Sequence, residues 1–145
     1  MKNLILTSLV ILSLTLSSQA QRKQAIGKKF GGGIVFNITP DGLHGLIVET
    51  QDQGTCNWNE VPALIANPAN HSEAGKAFTD WRLPDKEEMY KLYKKRKIVG
   101  GFTNYYYWTS TENNKTHVWN KSFARDSEMI NIKCALKYVR AVREF

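Results

Sequence analysis

Phe30-Gly31-Gly32-Gly33-Ile34-Val35-Phe36-Asn37-Ile38-Thr39-Pro40-Asp41-Gly42-Leu43-His44-Gly45-Leu46-Ile47-Val48 reads as a β-hairpin. Ile34 to Ile38 is β-branched and aromatic, and Leu46 to Val48 is its apolar return. Between them, Thr39-Pro40-Asp41-Gly42 has the composition of a turn. Proline presets φ there, and glycine accepts positive φ at no steric cost. An isolated hairpin is marginal in water, so this one needs a further strand or a helix against it.

Both are found downstream. Asp80-Trp81-Arg82-Leu83-Pro84 runs into the clearest helix, where Asp85 is placed to cap and Glu88, three residues on, to complete a capping box. Met89, Leu92, Tyr93 and the stem of Arg96 recur at helical spacing, and Gly100-Gly101 ends the pattern. Between hairpin and helix, Gly54, Pro62 and Pro68 interrupt any helix before Asn70, and a short helix is expected within His71–Thr79. After Gly101 the chain reads as β. Strands are expected at Tyr105–Thr109, Thr116–Phe123 and Met129–Ile132, with one closing strand from Lys137 to Phe145.

Upstream of the hairpin the chain divides in two. Lys2, the apolar run Leu4–Leu16 and Ser18-Gln19-Ala20 have the three-part pattern of a cleavable export signal over residues 1–20. The run is about 13 residues, against the roughly 20 that span a bilayer, so no membrane span is expected. Residues 21–29 are expected to form a flexible basic lead-in, and residues 30–145 one domain in a secreted, periplasmic or cell-surface setting.

Composition narrows the function classes. The 145-residue chain carries a net charge of +7, near +6 without Lys2, which favours anionic partners such as acidic polysaccharide. Nucleic acid would suit that charge but not an exported location. Cys56 and Cys134 are the two cysteines, and an even count in an exported chain predicts one disulfide. Their spacing fits neither a zinc nor a redox motif, and no cofactor is implied.

Several segments taken in order resemble a known family. They are Gly32-Gly33-Ile34-Val35-Phe36, His44-Gly45-Leu46 and Asp52-Gln53-Gly54. Trp81-Arg82-Leu83-Pro84, Gly100-Gly101-Phe102, Tyr107-Trp108-Thr109-Ser110-Thr111-Glu112 and Val139-Arg140-Ala141-Val142-Arg143 follow. In this order they resemble the Lcl C-terminal domain family of bacterial exported domains, which is related to the C-type-lectin-like fold. The resemblance implies an α+β architecture. The N-terminal hairpin would pair with the C-terminal strand, the main helix would pack beneath, and the late segments would form a second small antiparallel sheet. It also implies glycan binding or adhesion. A lectin calcium site is not implied, because Val118-Trp119-Asn120 is followed by Lys121, where a carboxylate would be needed.

Lys115, Trp119, Lys121, Arg125 and Lys133 are the candidate ligand residues: an aromatic face among cations would suit a sugar ring bearing sulfate or carboxylate. Lys91, Lys94 and Lys95 share one helix face, whose charge also suits a helix C-terminus. Of the three histidines, His44, His71 and His117, His44 sits in the hairpin and His117 heads a strand, neither beside a recognisable nucleophile motif. Spacing does not exclude a Ser/His/Asp set assembled in space. The reading is a non-catalytic binding or adhesion module for anionic glycan or another surface component. The alternatives are a protein-interacting envelope subunit, or a hydrolase with a site in the loops after Trp108.

Overall fold

The computed structural model describes residues 22–145, so the export signal expected over residues 1–20 lies outside the described residues. The architecture is α+β, with two sheets, one main helix and a shorter helix. The first sheet comprises β1 (Lys29–Phe30), β2 (Gly33–Ile38), β3 (Gly45–Val48) and β9 (Val142–Glu144), in the order β1-β2-β3-β9. The second comprises β4 (Gly54–Cys56), β5 (Tyr106–Glu112), β6 (His117–Ser122), β7 (Glu128–Ile132) and β8 (Lys137–Val139), in the order β4-β8-β5-β6-β7.

The opening hairpin forms as its sequence predicts. β2 and β3 pair antiparallel, and in the turn Gly42 has φ 73° while Asp41 Oδ1 accepts the Leu43 N–H at 2.9 Å. The last strand closes on it, with Leu46 opposite Glu144 and Val48 opposite Val142. On its other side β9 is bridged by Arg82 of the Trp-Arg-Leu-Pro segment, through Arg82 N to Val142 O at 2.8 Å and Val142 N to Arg82 O at 2.9 Å. The first sheet therefore has buried side chains on both faces. Val35 and Ile47 enter a core with Trp81 and Trp108, while Phe36, Leu46 and Val48 enter a second core with Met89, Leu92 and Tyr107.

α2 (Lys86–Val99) carries the expected capping box between Asp85 and Glu88 and buries Met89, Leu92, Tyr93 and Val99 against the second core. It stops at Gly100 and Gly101, which have φ 75° and 71°. No helix among the described residues is long and apolar enough to cross a membrane.

Four expectations about the chain path differ from the structure. The closing segment is two strands. β8 pairs with β4 and β5 in the second sheet, then the chain crosses at Arg140-Ala141 and β9 joins the first. The second sheet is not wholly antiparallel, because β8 and β5 run parallel at Tyr138 and Tyr107. A helix, α1 (Val61–Ala66), forms where proline was expected to prevent one: Pro62 sits in its first turn, where a missing N–H breaks no helical bond. The short helix expected in His71–Thr79 contracts to a 3-10 turn at Gly75–Ala77. Within the lead-in, Gln24 N bonds Gly42 O, Gly27 N bonds Val35 O, and Val35 N bonds Lys28 O.

The predicted disulfide is absent: Cys56 and Cys134 are both free. Cys56 packs into the core from β4 at 6 % exposure, whereas Cys134 lies exposed in the turn that links β7 to β8. Burial, aided by the nearby Glu60 carboxylate, pushes the Cys56 thiol up to about 11.

Candidate functional site

The five residues expected to form one cationic patch are separated by the fold. Trp119 and Lys121 are two apart on β6 and so share a face, and that face is covered by α2. Lys86 Nζ lies 3.7 Å from the Trp119 ring centroid and is held there by Glu128 at 3.0 Å. Lys121 is 2 % exposed, bonds Asp126 at 2.6 Å and lies over Tyr93 at 4.5 Å. Lys133 covers Trp58 at 4.5 Å and pairs with Glu112 at 2.6 Å. Lys115 and Arg125 are exposed, but in the turns at opposite ends of β6, about 20 Å of strand apart at roughly 3.3 Å per residue. These residues make no common surface.

The concave feature lies elsewhere. α1, the loop from Pro68 to Leu83 and the middle of β5 enclose a cavity of about 600 Å³. That volume is within the usual range for small-molecule sites. Its aromatic wall is Trp58, Phe78 and Trp81, with Val61, Ile65 and Leu83 between them. Both indole N–H groups are bonded to backbone: Trp58 Nε1 donates to Thr109 O and Trp81 Nε1 to Gly75 O, each at 2.9 Å. Arg82 is clamped by both carboxylate oxygens of Glu88, at 2.7 and 2.8 Å, and reaches Glu144 at 3.0 Å.

A histidine, a carboxylate and a hydroxyl do meet at the wall of this cavity. His71 Nδ1 lies 2.9 Å from Glu49 Oε2, and Ser72 Oγ donates to Glu49 Oε1 at 2.6 Å. The order is wrong for a nucleophile relay, in which the imidazole stands between hydroxyl and carboxylate. Here the carboxylate is in the middle, and His71 Nε2 donates to Ile65 O at 2.7 Å. Neither ring nitrogen is free to take a proton from Ser72. Glu49, fully buried, also accepts from Thr50 N at 2.7 Å and Ser72 N at 3.2 Å, and His71 stacks on Trp81 at 5.6 Å. The trio fixes the loop that bears the aromatic wall.

A second buried polar knot sits at the crossing between the sheets. Arg140 Nε donates to Asp52 Oδ1 at 2.7 Å, Nη1 to Glu49 O at 3.2 Å and Nη2 to Gly101 O, and its guanidinium lies 4.2 Å from the Phe102 ring centroid. Asp52 also accepts from the Tyr107 hydroxyl at 2.9 Å. Burial, with the Asp52 charge adding to it, raises the Tyr107 phenol to about 12 against hydrogen bonds from Thr103. Four separated sequence segments, around Asp52, Gly101-Phe102, Tyr107 and Arg140, therefore converge on one knot.

The sequence profile of the Lcl C-terminal domain matches residues 37–143. The chain belongs to the Lcl C-terminal domain family. Among curated proteins none matches it. Within this Lcl domain, several of the segments that carried the resemblance fall into two groups. Asp52, Gly101-Phe102, Tyr107 and Arg140 build the polar knot, while Trp81, Arg82, Leu83 and Ser110 border the cavity.

Sequence reasoning missed the cavity because it missed α1, whose Val61 and Ile65 line one side. The Val61–Ala66 run carries helix-forming Ala and Leu, and Asn57 with Glu60 forms a capping box immediately upstream. Reading Pro62 as a first-turn proline would have recovered it. Glu49 and His71 left no local signal at a separation of 22 residues.

Proposed function

We propose that this Lcl domain is an exported, non-catalytic binding module for a surface component, and that its ligand sits in the cavity between α1, Trp81 and Ser110. The observation that carries the reading is the aromatic cavity of about 600 Å³, in whose wall the buried His71 and Trp81 and the half-buried Trp58 and Arg82 are each held by a protein partner. A wall of this kind offers contact area without a group poised to attack or to transfer a proton. The export pattern of residues 1–20 supports an envelope or extracellular setting, and the net charge of +7 favours approach to anionic surfaces at low salt.

The experiment is a binding screen on immobilised bacterial and host surface extracts, glycans included. It is run at low and high salt and with chelator, comparing wild type with Ala66→Trp. Ala66 is an exposed lining residue at the end of α1, so the indole fills the cavity without displacing core. Binding that survives chelator, is lost in Ala66→Trp and leaves the ligand chemically unchanged is the expected result. Conversion of the ligand, or equal binding by the filled variant, would overturn the proposal.

A further inference from the structure

The cavity has an uneven distribution of hydrogen-bonding groups. Among the described residues, the buried polar side chains of its wall are already engaged, and the partly exposed Arg82 is turned to two carboxylates. The Trp58 and Trp81 indoles donate to backbone carbonyls, both His71 nitrogens are bonded, and Arg82 is shared by Glu88 and Glu144. What remains facing inward is ring face and hydrocarbon. At the mouth the situation reverses: Asn59, Thr79 and Ser110 are exposed, and the Lys76 side chain, 44 % exposed, pairs with the exposed Glu73.

This arrangement selects against a sugar ring in the interior. Hydroxyls taken in against the aromatic wall would give up water and find the indole and imidazole nitrogens already bonded, so they would incur desolvation cost there. An alkyl or aryl group taken into the same space loses nothing by leaving water and gains contact with three aromatic side chains. Resting on the reading of the cavity as the ligand seat, we infer that the ligand is an amphiphile. Its hydrocarbon or aromatic body occupies the interior, and a neutral or anionic polar head stays at the rim of Asn59, Thr79, Ser110 and Lys76.

A homologous series separates body from head. Hexyl, heptyl and octyl β-D-glucosides, each below its micellar concentration, are titrated into the full chain alongside glucose and short glucose oligomers. Tryptophan fluorescence and calorimetry report binding. The expected result is saturable binding that tightens about fourfold per methylene, with the sugars silent, and its loss in Ala66→Trp and in the smaller filling variant Ala66→Leu. Ser110→Ala should shift all three glucosides equally and leave the dependence on chain length intact.

Sugars that bind and are blocked by the filling variants, with no dependence on alkyl length, would overturn the amphiphile while leaving the seat in place. Binding of either class that is indifferent to both filling variants, or no binding of either class, would overturn both. Phosphatidylcholine vesicles distinguish the source. Co-sedimentation lost in Ala66→Trp assigns a membrane lipid, and its absence beside glucoside binding assigns a free amphiphile; both outcomes support the inference.

Discussion

Arg140 Nε donates to Asp52 Oδ1 across 2.7 Å from a side chain that is 0 % exposed, linking the strand that crosses between the sheets to the loop after β3. The geometry explains why the final segment splits. Each guanidinium nitrogen is used: two backbone carbonyls and one carboxylate, with the Phe102 ring against the group, hold the residue between Val139 of β8 and Val142 of β9. Asp52→Ala leaves that charge buried without its counter-charge, so a loss of about 3–5 kcal/mol is expected from urea unfolding at pH 7. Arg140→Lys should lose most of the same stability, because an ammonium on a single stem cannot span the acceptors that the planar fork reaches. A change under 1 kcal/mol in Asp52→Ala would show the knot to be dispensable.

Acid should weaken the fold through Arg82. Burial alone would raise the Glu88 carboxyl, but the Arg82 fork and the Asp85 backbone N–H outweigh it and hold the group below its ordinary value. A depressed folded value means that the unfolded chain binds more protons. The contribution is therefore complete above the ordinary glutamate range, near pH 4–5, and is lost as pH falls through the folded value. Asp80 is lowered in the same direction by Arg143 but is more than half exposed, so screening reduces its share. Urea midpoints measured from pH 7 to pH 3 should fall less steeply in Arg82→Gln than in wild type.

What was legible in the sequence was local. The β2–β3 hairpin and α2 are written in turn chemistry, alternation and a capping box, each spanning a few residues. Pairing of the last strand with the hairpin came from resemblance in motif order, and the structure bears it out through Val48 and Val142. The cationic patch failed for a physical reason. Alternation fixes that Trp119 and Lys121 share a face, but not which face α2 covers, and α2 covers that one. The Glu49–His71 contact failed differently, since nothing local marks a carboxylate and an imidazole that meet only after the loop has closed.

The two thiols should react at very different rates. With Cys56 buried and its thiol raised to about 11, about one part in a thousand would be thiolate at pH 8, behind a closed core. Cys134 is open to solvent in the β7–β8 turn. Alkylation followed by peptide mass mapping should label Cys134 within minutes and Cys56 only in denaturant. Rapid labelling of both in native buffer would contradict the packing of β4.

Asn120 presents the opposite case to Arg140. It is 1 % exposed, and neither its side-chain oxygen nor its nitrogen has a hydrogen-bond partner among the described residues. An unpaired buried amide costs more than a hydrocarbon of similar size. Asn120→Leu is therefore expected to be neutral or to raise the urea midpoint, unlike nearly every other core substitution. A loss above about 1 kcal/mol would mean that the amide is bonded to a buried water.

Gly75 tests the link between the buried trio and the cavity. Its backbone carbonyl holds the Trp81 indole, and a Cβ added there would be driven into the Glu49 carboxylate and against Ser72 Oγ. The φ of Gly75 is not in the positive range, so alanine meets steric conflict and no backbone strain. Glu49 cannot retreat, because it is fully buried and fixed by Thr50, His71 and Ser72. Gly75→Ala should therefore cost about 1–3 kcal/mol by overpacking and also displace the loop that carries Phe78 and Trp81. Two readouts separate these effects: the urea midpoint reports the first, and Trp81 emission with octyl glucoside affinity reports the second. Because the loop is held at both ends, by Glu49 and by the Arg82–Val142 bridge, the stability loss and the loss of affinity should appear together. Full stability with altered Trp81 emission would show that the loop moves independently of the trio.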